Sequence, residues 1–299
     1  MRLVIAMISK GQNIVINHPC FSESAHHKFG RIHLPVAPVC NIQCRYCIRK
    51  YDCANESRPG ITSKILTPNE AYERVKYISE RDNHITVVGI AGPGDPLANE
   101  ATFETLELIN KEFPDLILCL STNGLLLNDK LSDIVRCGVK SLTITINAVT
   151  SKTAGKVYSA VSYNGNRLDN MEGVQLLLKN QWTGLTKAVQ AGLIVKVNTV
   201  YIDGINDGEI PLIAHAAGLA DANIMNIIPL YPQADFAHII RPIHGMLSNM
   251  RAVCGTHIPQ MTHCKQCRAD AIGTLGEDRD METEMLFSIL SEEQYERVC

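Results

Sequence analysis

The stretch RIHLPVAPVCNIQCRYC, residues 31–47, runs from an alternating segment straight into three closely spaced cysteines. Over 31–37, Ile32, Leu34 and Val36 share one face while Arg31 and His33 share the other, which is the period of a β-strand. Cys40, Cys44 and Cys47 follow with the spacing C-x₃-C-x₂-C. That spacing arises by chance on the order of once in a hundred chains of this composition, so accident is a poor reading. The chain has 299 residues and 11 cysteines, at 20, 40, 44, 47, 53, 119, 137, 254, 264, 267 and 299. The count is odd, and the opening MRLVIAMISKG lacks both a long apolar run and a small-residue cleavage site. Clustered cysteines in a chain expected to be cytoplasmic read as metal ligands rather than a disulfide framework.

Outward from this stretch, strand-like runs alternate with amphipathic ones. Strands are expected at 31–37, 84–91, 116–122, 141–148, 193–202 and 224–230, and helices after Pro68, from Ala101, over 169–190 and over 207–219. Such alternation implies right-handed βαβ units and a parallel sheet. Six units predict an α/β fold, a partial (βα)6 TIM-like barrel rather than a closed eight-fold one. The barrel is expected over 31–232, with an N-terminal extension, 1–30, and a C-terminal one, 233–299, ending in a helix over 288–298.

Strands of a covered parallel sheet are usually apolar on both faces. Several here are not. Leu142, Ile144, Ile146 and Ala148 oppose Thr143, Thr145 and Asn147; Cys119 and Ser121 share a face, as do Lys196 and Asn198. The all-apolar faces are expected to meet the helices and the polar ones to line a lumen. The net charge of −3, without a basic stripe, disfavours nucleic acid, and no run has the length of a membrane span.

Active sites of βα barrels lie at the C-terminal ends of the strands, where Cys40 falls. Three thiolates on one loop can hold three irons of a [4Fe–4S] cubane and leave the fourth iron open to a small molecule. The alternative is zinc, which more often uses two separated cysteine knuckles. CKQC, Cys264 to Cys267, raises the same alternative, since Cys254, His257 and His263 lie near it in sequence. Cys137 and Cys299 read as buried small hydrophobes.

C-x₃-C-x₂-C with Tyr46 before its last cysteine resembles the signature of the radical S-adenosylmethionine (SAM) superfamily. That resemblance implies a [4Fe–4S] cluster whose open iron is chelated by SAM, and one-electron cleavage of SAM to a 5′-deoxyadenosyl radical. AGPGDP, from Ala91 to Pro96, occupies the place of the superfamily's glycine-rich SAM motif, with Gly92, Gly94 and Asp95 where Gly-Gly-Glu is expected. Ser121, Asn123, Asn147 and Asn198 are further candidates for SAM contacts.

Longer segments resemble one family within that superfamily, the nitrogenase-cofactor maturases NifB. They are HPCFSESAHHKFGRIHLPVAPVCNIQCRYC, CANESRPG, AGPGDPLAN, STNGL, TITINAV, KVNTVYIDGIND and CKQCRADAIGTLGED. The resemblance implies a carbide synthase that fuses two further [4Fe–4S] units, K1 and K2, around a SAM-derived carbon into an 8Fe–9S–C precursor of the nitrogenase cofactor. It assigns Cys40, Cys44 and Cys47 to the radical-SAM cluster. Cys20, Cys53, Cys119 and His33 fall to K1, His33 as a detachable ligand, and Cys264 and Cys267 to K2. Glu56 and Arg58 become candidates for proton relay or SAM binding, with a capping or salt-bridge role as the alternative. The implied partners are SAM, a reduced electron donor, a cluster-delivery protein and a downstream cofactor carrier or scaffold. The chain resembles the short form that lacks a carrier-like C-terminal domain. The competing readings are a non-catalytic iron–sulfur scaffold and a radical SAM enzyme acting on an organic substrate.

Overall fold

The computed structural model describes residues 14–58, 60–279 and 283–284; the helix expected over 288–298 lies outside them. The strands are β1 (Gly30–His33), β2 (Ile42–Cys44), β3 (Ile85–Ile90), β4 (Ile117–Thr122), β5 (Ser141–Thr145), β6 (Tyr158–Tyr163), β7 (Asn166–Leu168), β8 (Ile194–Tyr201), β9 (Ile224–Pro229) and β10 (Ile272–Gly273). Six of them, β1, β3, β4, β5, β8 and β9, pair in parallel and in chain order, as a curled half-barrel requires. They coincide with the six expected strands, though β1 ends at His33, short of 37, because Pro35 and Pro38 cannot donate to a ladder.

The expected helices form at Pro68–Ser79, Glu100–Glu112, Met171–Gln190 and Ile210–Leu219. The first begins with a capping box, in which Thr67 and Glu70 satisfy each other's backbone amides, and with Pro68 in its first turn. Helices at Leu127–Arg136, Ser151–Val157 and His244–Cys254 were not expected. Nor was the antiparallel sheet β2–β6–β7. Its hairpin turns at Asn164 and Gly165, both with positive φ, and Asn-Gly is the strongest short signal for such a turn.

The alternation in the strands separates two environments. Ile32, Leu34, Ile90, Leu118, Leu120, Leu142, Ile144, Val195 and Val197 form one apolar core beneath the helices. Residues of the opposite parity, such as Arg31, His33, Cys119, Thr143 and Lys196, face a lumen.

The C-terminal segment closes the open edge of the half-barrel. After the helix His244–Cys254 the chain returns to pair β10 antiparallel with β1, Arg31 opposite Gly273 and Ile32 opposite Ile272. The buried Arg31 guanidinium holds this strap. It donates to the carbonyls of Gly273 (2.7 Å) and Thr274 (2.8 Å), to Cys267 Sγ (3.2 Å) and to Asp278 (2.5 Å).

Candidate functional site

The cysteine loop is itself part of the small sheet. Ile42, Gln43 and Cys44 pair with Val161, Ala160 and Tyr158. Gln43 Nε2 donates to the carbonyls of Cys44 and Cys47, each at 2.9 Å, and so ties the turn between them. Cys40, Cys44 and Cys47 line one cleft, whose empty space of ≈ 420 Å³ includes its opening to solvent. The donor set suits a cluster with an exposed iron: three free thiols from one short loop open on that cleft.

The second strand's loop forms the opposite wall. A Cβ at Gly94 would lie 2.2 Å from Val39 O, so only glycine lets AGPGDP pack against the cysteine loop. Asp95 is buried and accepts from Leu97 N (3.0 Å), Thr122 Oγ1 (2.9 Å) and Asn123 N (2.6 Å). Burial raises its carboxyl to about 6 against those hydrogen bonds. Asn123 donates to Asn41 Oδ1 (2.6 Å) and reaches Cys40 Sγ at 3.8 Å. Tyr46 is buried beneath the cavity, its hydroxyl donating to Asn55 Oδ1 (2.6 Å) and accepting from Asn147 Nδ2 (2.8 Å).

Not every expected SAM contact faces this space. Gly94, Asp95, Ser121, Asn123 and Tyr46 line it. Asn147 does not, since its amide is committed to Tyr46 and to Val200 N (2.8 Å). Ala91 lines the lumen instead, and Gly92 sits beside Cys53 and Ala269. Asn198 donates to Glu56, at 3.0 and 3.2 Å to its two oxygens. Arg49 does line the loop cavity. Burial alone would lower it, but the thiols of Cys40 and Cys47 raise it overall. Its only sequence signal is its place two residues past Cys47.

Two further cavities, each ≈ 390 Å³, occupy the lumen. One is lined by His18, Cys20, Arg31, His33, Cys119 and Lys196. The other is lined by Cys20, Glu56, Lys196, Asn198, Cys264 and Cys267. A Cβ at Gly89 would lie 2.9 Å from the His33 ring, so a glycine there makes room for the imidazole. Burial, helped by Arg31, lowers His33 to about 4, so the ring is neutral near pH 7. Cys53, expected beside Cys20 and Cys119, lines the loop cavity instead, with Cys40 and Cys47.

Burial pushes Cys20 up to about 12 and Cys40 to about 11, and raises Cys44, Cys53, Cys119 and Cys267 as well. These thiols keep their protons at neutral pH until a metal displaces them. Lys196 is buried among them. Burial alone would lower it, yet Cys20, Glu56, Cys264 and Cys119 raise it overall, the cysteines to the extent that they are thiolates. The sequence placed it on a lumen-facing side of its strand without giving it a role.

Glu56 connects the three spaces, for it lines every one of them. Burial raises its carboxyl, opposed by Lys196 and by hydrogen bonds that include Thr145 (3.1 Å) and Asn198. Arg58 takes the salt-bridge alternative: it donates to Gln266 O (2.9 Å) and pairs with Asp278 (3.1 Å), bracing the strap outside the three linings.

The zinc alternative is not formed. Cys254 is buried in the apolar core, His257 packs edge-on against His215, and His263 Nε2 donates to Pro19 O (3.0 Å). Among the described residues no three His, Cys, Asp or Glu side chains converge as a single-ion site requires. Cys137 is a buried core residue, as expected; Cys299 lies outside the described residues. No described helix is long and apolar enough to cross a membrane.

Known proteins share the sequence and the fold. The profile of the Radical SAM superfamily matches residues 34–217. The chain is 46% identical over 272 residues to the FeMo cofactor biosynthesis protein NifB of Klebsiella pneumoniae, covering 89% of this chain and 58% of that protein. It is 41% identical over 273 residues to the NifB of Methanocaldococcus infernus, covering 90% of this chain and 89% of the relative. Among solved structures it resembles a radical SAM methyltransferase from Sphaerobacter thermophilus (TM-score 0.54, 18% identity, 78% of this chain and 64% of that one). It also resembles Streptococcus suis SuiB bound to S-adenosylmethionine (TM-score 0.57, 12% identity, 80% and 52%). At such identities these two likenesses show the fold alone.

Proposed function

The chain belongs to the NifB family of the radical SAM superfamily, and from that premise we propose that it is a SAM-dependent carbide synthase of nitrogenase-cofactor assembly. The observation that carries the proposal is that the loop cavity and two thiol-lined lumen cavities share one wall residue, the carboxylate Glu56. Against a radical SAM enzyme with auxiliary clusters acting on an organic substrate stand the segments HPCF, NESRPG and CRADA, which follow the NifB pattern.

Cys40, Cys44 and Cys47 would hold the resident [4Fe–4S] cluster. When bound, that cluster supplies one electron to SAM and so breaks its S–C5′ bond. Asp95, Asn123 and Arg49 surround the space for SAM, and the packing of Gly94 on Val39 keeps that wall close. The substrates are two [4Fe–4S] units. Cys20, Cys119 and His33 would hold the first, with Cys53 at its border, and Cys264 and Cys267 the second. One SAM gives its methyl to a sulfide of the second unit, leaving S-adenosylhomocysteine. A second SAM yields the radical that takes hydrogen from that methyl and leaves as 5′-deoxyadenosine. Glu56 is placed to accept a further proton, since burial lifts its carboxyl toward the working range of a general base. Lys196 offsets the negative charge of thiolates and sulfides as the two units fuse. The methyl's last hydrogen leaves as a proton to water, and a ninth sulfide from outside the two units, brought with them by a cluster-delivery protein, completes the 8Fe–9S–C product. A reduced donor supplies the electron, and a carrier or scaffold receives the product.

The test is anaerobic. Protein reconstituted with iron and sulfide is reduced and given methyl-labelled SAM, and S-adenosylhomocysteine and 5′-deoxyadenosine are measured together. Both products, with label retained in an iron–sulfur species, are expected. 5′-Deoxyadenosine alone would remove the carbide assignment, and neither product from cluster-loaded protein would leave an iron–sulfur scaffold.

A further inference from the structure

His18 and His33 face the same cavity, and their hydrogen bonds leave opposite kinds of atom free. His33 Nδ1 lies 3.0 Å from Arg268 O. A carbonyl only accepts, so Nδ1 carries the proton and Nε2 keeps its lone pair. His18 Nδ1 lies 3.1 Å from the amide nitrogen of Cys20. An amide N–H only donates, so here Nδ1 is the acceptor and the ring proton sits on Nε2. A ring protonated on both nitrogens would set two N–H groups against each other at Cys20. His18 is 2% exposed, and its ring is held edge-on to Phe21 at 4.8 Å. Among the described residues its Nε2 has no hydrogen-bond partner. An unmet donor that deeply buried is costly and calls for an acceptor in the cavity it lines.

We infer that His18 is a substrate-binding residue, its Nε2–H donating to a sulfide of the iron–sulfur unit held by Cys20 and Cys119. The inference rests on the proposed function, which brings such a unit to this cavity. The two imidazoles then divide the labour. His33 presents a lone pair to iron, and His18 presents a proton to sulfur. A hydrogen bond to a sulfide draws electron density from it and raises the reduction potential of the cluster. It also makes that sulfide the poorer nucleophile, so methyl transfer is steered away from it. Arg31 is committed to the strap, whereas Lys196 lines the same cavity from β8 and brings a charge rather than a ring N–H.

The first measurement needs no iron. Nitrogen-15 NMR of cluster-free protein reports the imidazole tautomers directly. A proton on Nε2 of His18 and on Nδ1 of His33 is expected; a proton on Nδ1 of His18 overturns the inference. The second uses reconstituted protein in H₂O and D₂O. Pulsed EPR should show one strongly coupled nitrogen and, near the cluster, an exchangeable proton. His18→Phe should lose that proton coupling, keep the strong nitrogen coupling and shift the cluster to a lower midpoint potential. His18→Gln, whose amide can donate from a similar position, should restore both proton coupling and potential. It also keeps the test decisive if the Phe variant fails to fold. Unchanged proton coupling in His18→Phe, or loss of the strong nitrogen coupling there, overturns the inference and leaves the proposed function standing. Wild-type protein that takes up only the loop cluster overturns both.

Discussion

The loop cavity and the lumen both gather cysteines, but they are built in opposite ways. Cys40, Cys44 and Cys47 come from eight consecutive residues, and the local sheet with β6 and the Gln43 hydrogen bonds hold them. Cys20, Cys119, Cys264 and Cys267 come from three distant segments, and no local structure relates them. A strand of the barrel positions Cys119, the N-terminal segment brings Cys20, and a strap clamped by Arg31 brings the last two. The first site is a motif that a fold carries; the second is a product of the fold. Damage to the motif should therefore remove chemistry and spare the lumen, whereas damage to the scaffold should do the reverse.

The sharpest break is Cys44→Ala. It should lower SAM cleavage by at least about 1000-fold, roughly 4 kcal/mol in the barrier, because the resident cluster is lost. Iron held in the lumen should remain, as read by iron analysis and EPR. Arg31→Met attacks the other side. Asp278 would keep only the half-exposed Arg58, and the carbonyls of Gly273 and Thr274 would lose their donor, at a cost of about 2 kcal/mol in urea unfolding of cluster-free protein. Iron held at Cys264 and Cys267 should fall while the loop cluster's EPR signal stays.

Cys53→Ser sharpens the comparison at its border. If Cys53 serves the lumen, the variant should lose lumen iron by a factor of several, and SAM should still perturb the loop cluster's spectrum. If Cys53 is instead a fourth ligand of the loop cluster, that spectrum changes first and the assignment of Cys53 moves with it.

A control should lie outside both regions. Glu209 accepts from Val149 N (2.7 Å), Thr150 N (3.0 Å) and the hydroxyls of Thr150 and Thr153. Burial pushes its carboxyl up, but these hydrogen bonds hold it below the ordinary glutamate value of 4.5. The folded state therefore binds this proton less readily than the unfolded one. The stabilisation is present above pH 4.5 and is lost as pH falls through the folded value. Glu209→Gln should cost about 1 kcal/mol near neutrality by urea titration, and the gap should close on acidification. Iron content should not change.

The same contrast explains what the sequence could disclose. The six barrel strands were legible because a period of two survives in each, with Leu142, Ile144 and Ile146 turned to the helices and Thr143 and Thr145 to the lumen. C-x₃-C-x₂-C was legible because its ligands are neighbours. Which distant cysteines meet is not encoded in any window, and only resemblance brought Cys20 and Cys119 together. That resemblance also put Cys53 beside them, whereas the structure turns it toward Cys47. Asn147 misled for a different reason: an asparagine at a strand end serves the backbone as readily as a ligand, and this one serves Tyr46 and Val200. Lys196 was placed on a lumen face but given no role, and His18, in the segment before β1, was not singled out, because one residue carries no spacing signal. Their meaning lies in burial and in the direction of one hydrogen bond.

The contact of Arg31 with Gly273 spans 242 residues of chain. Closing so long a loop gains its reward only after the intervening barrel has formed, so this contact belongs to the late phase of folding. With only two residue pairs joining β10 to β1, the strap should also be among the first segments to exchange its amide protons from the native state. Cys264 and Cys267 thus ride on the part of the molecule that can open without global unfolding. A bulky inorganic guest that must enter and later leave a closed lumen has a route there that the rigid cysteine loop, at the other end of the same space, does not offer.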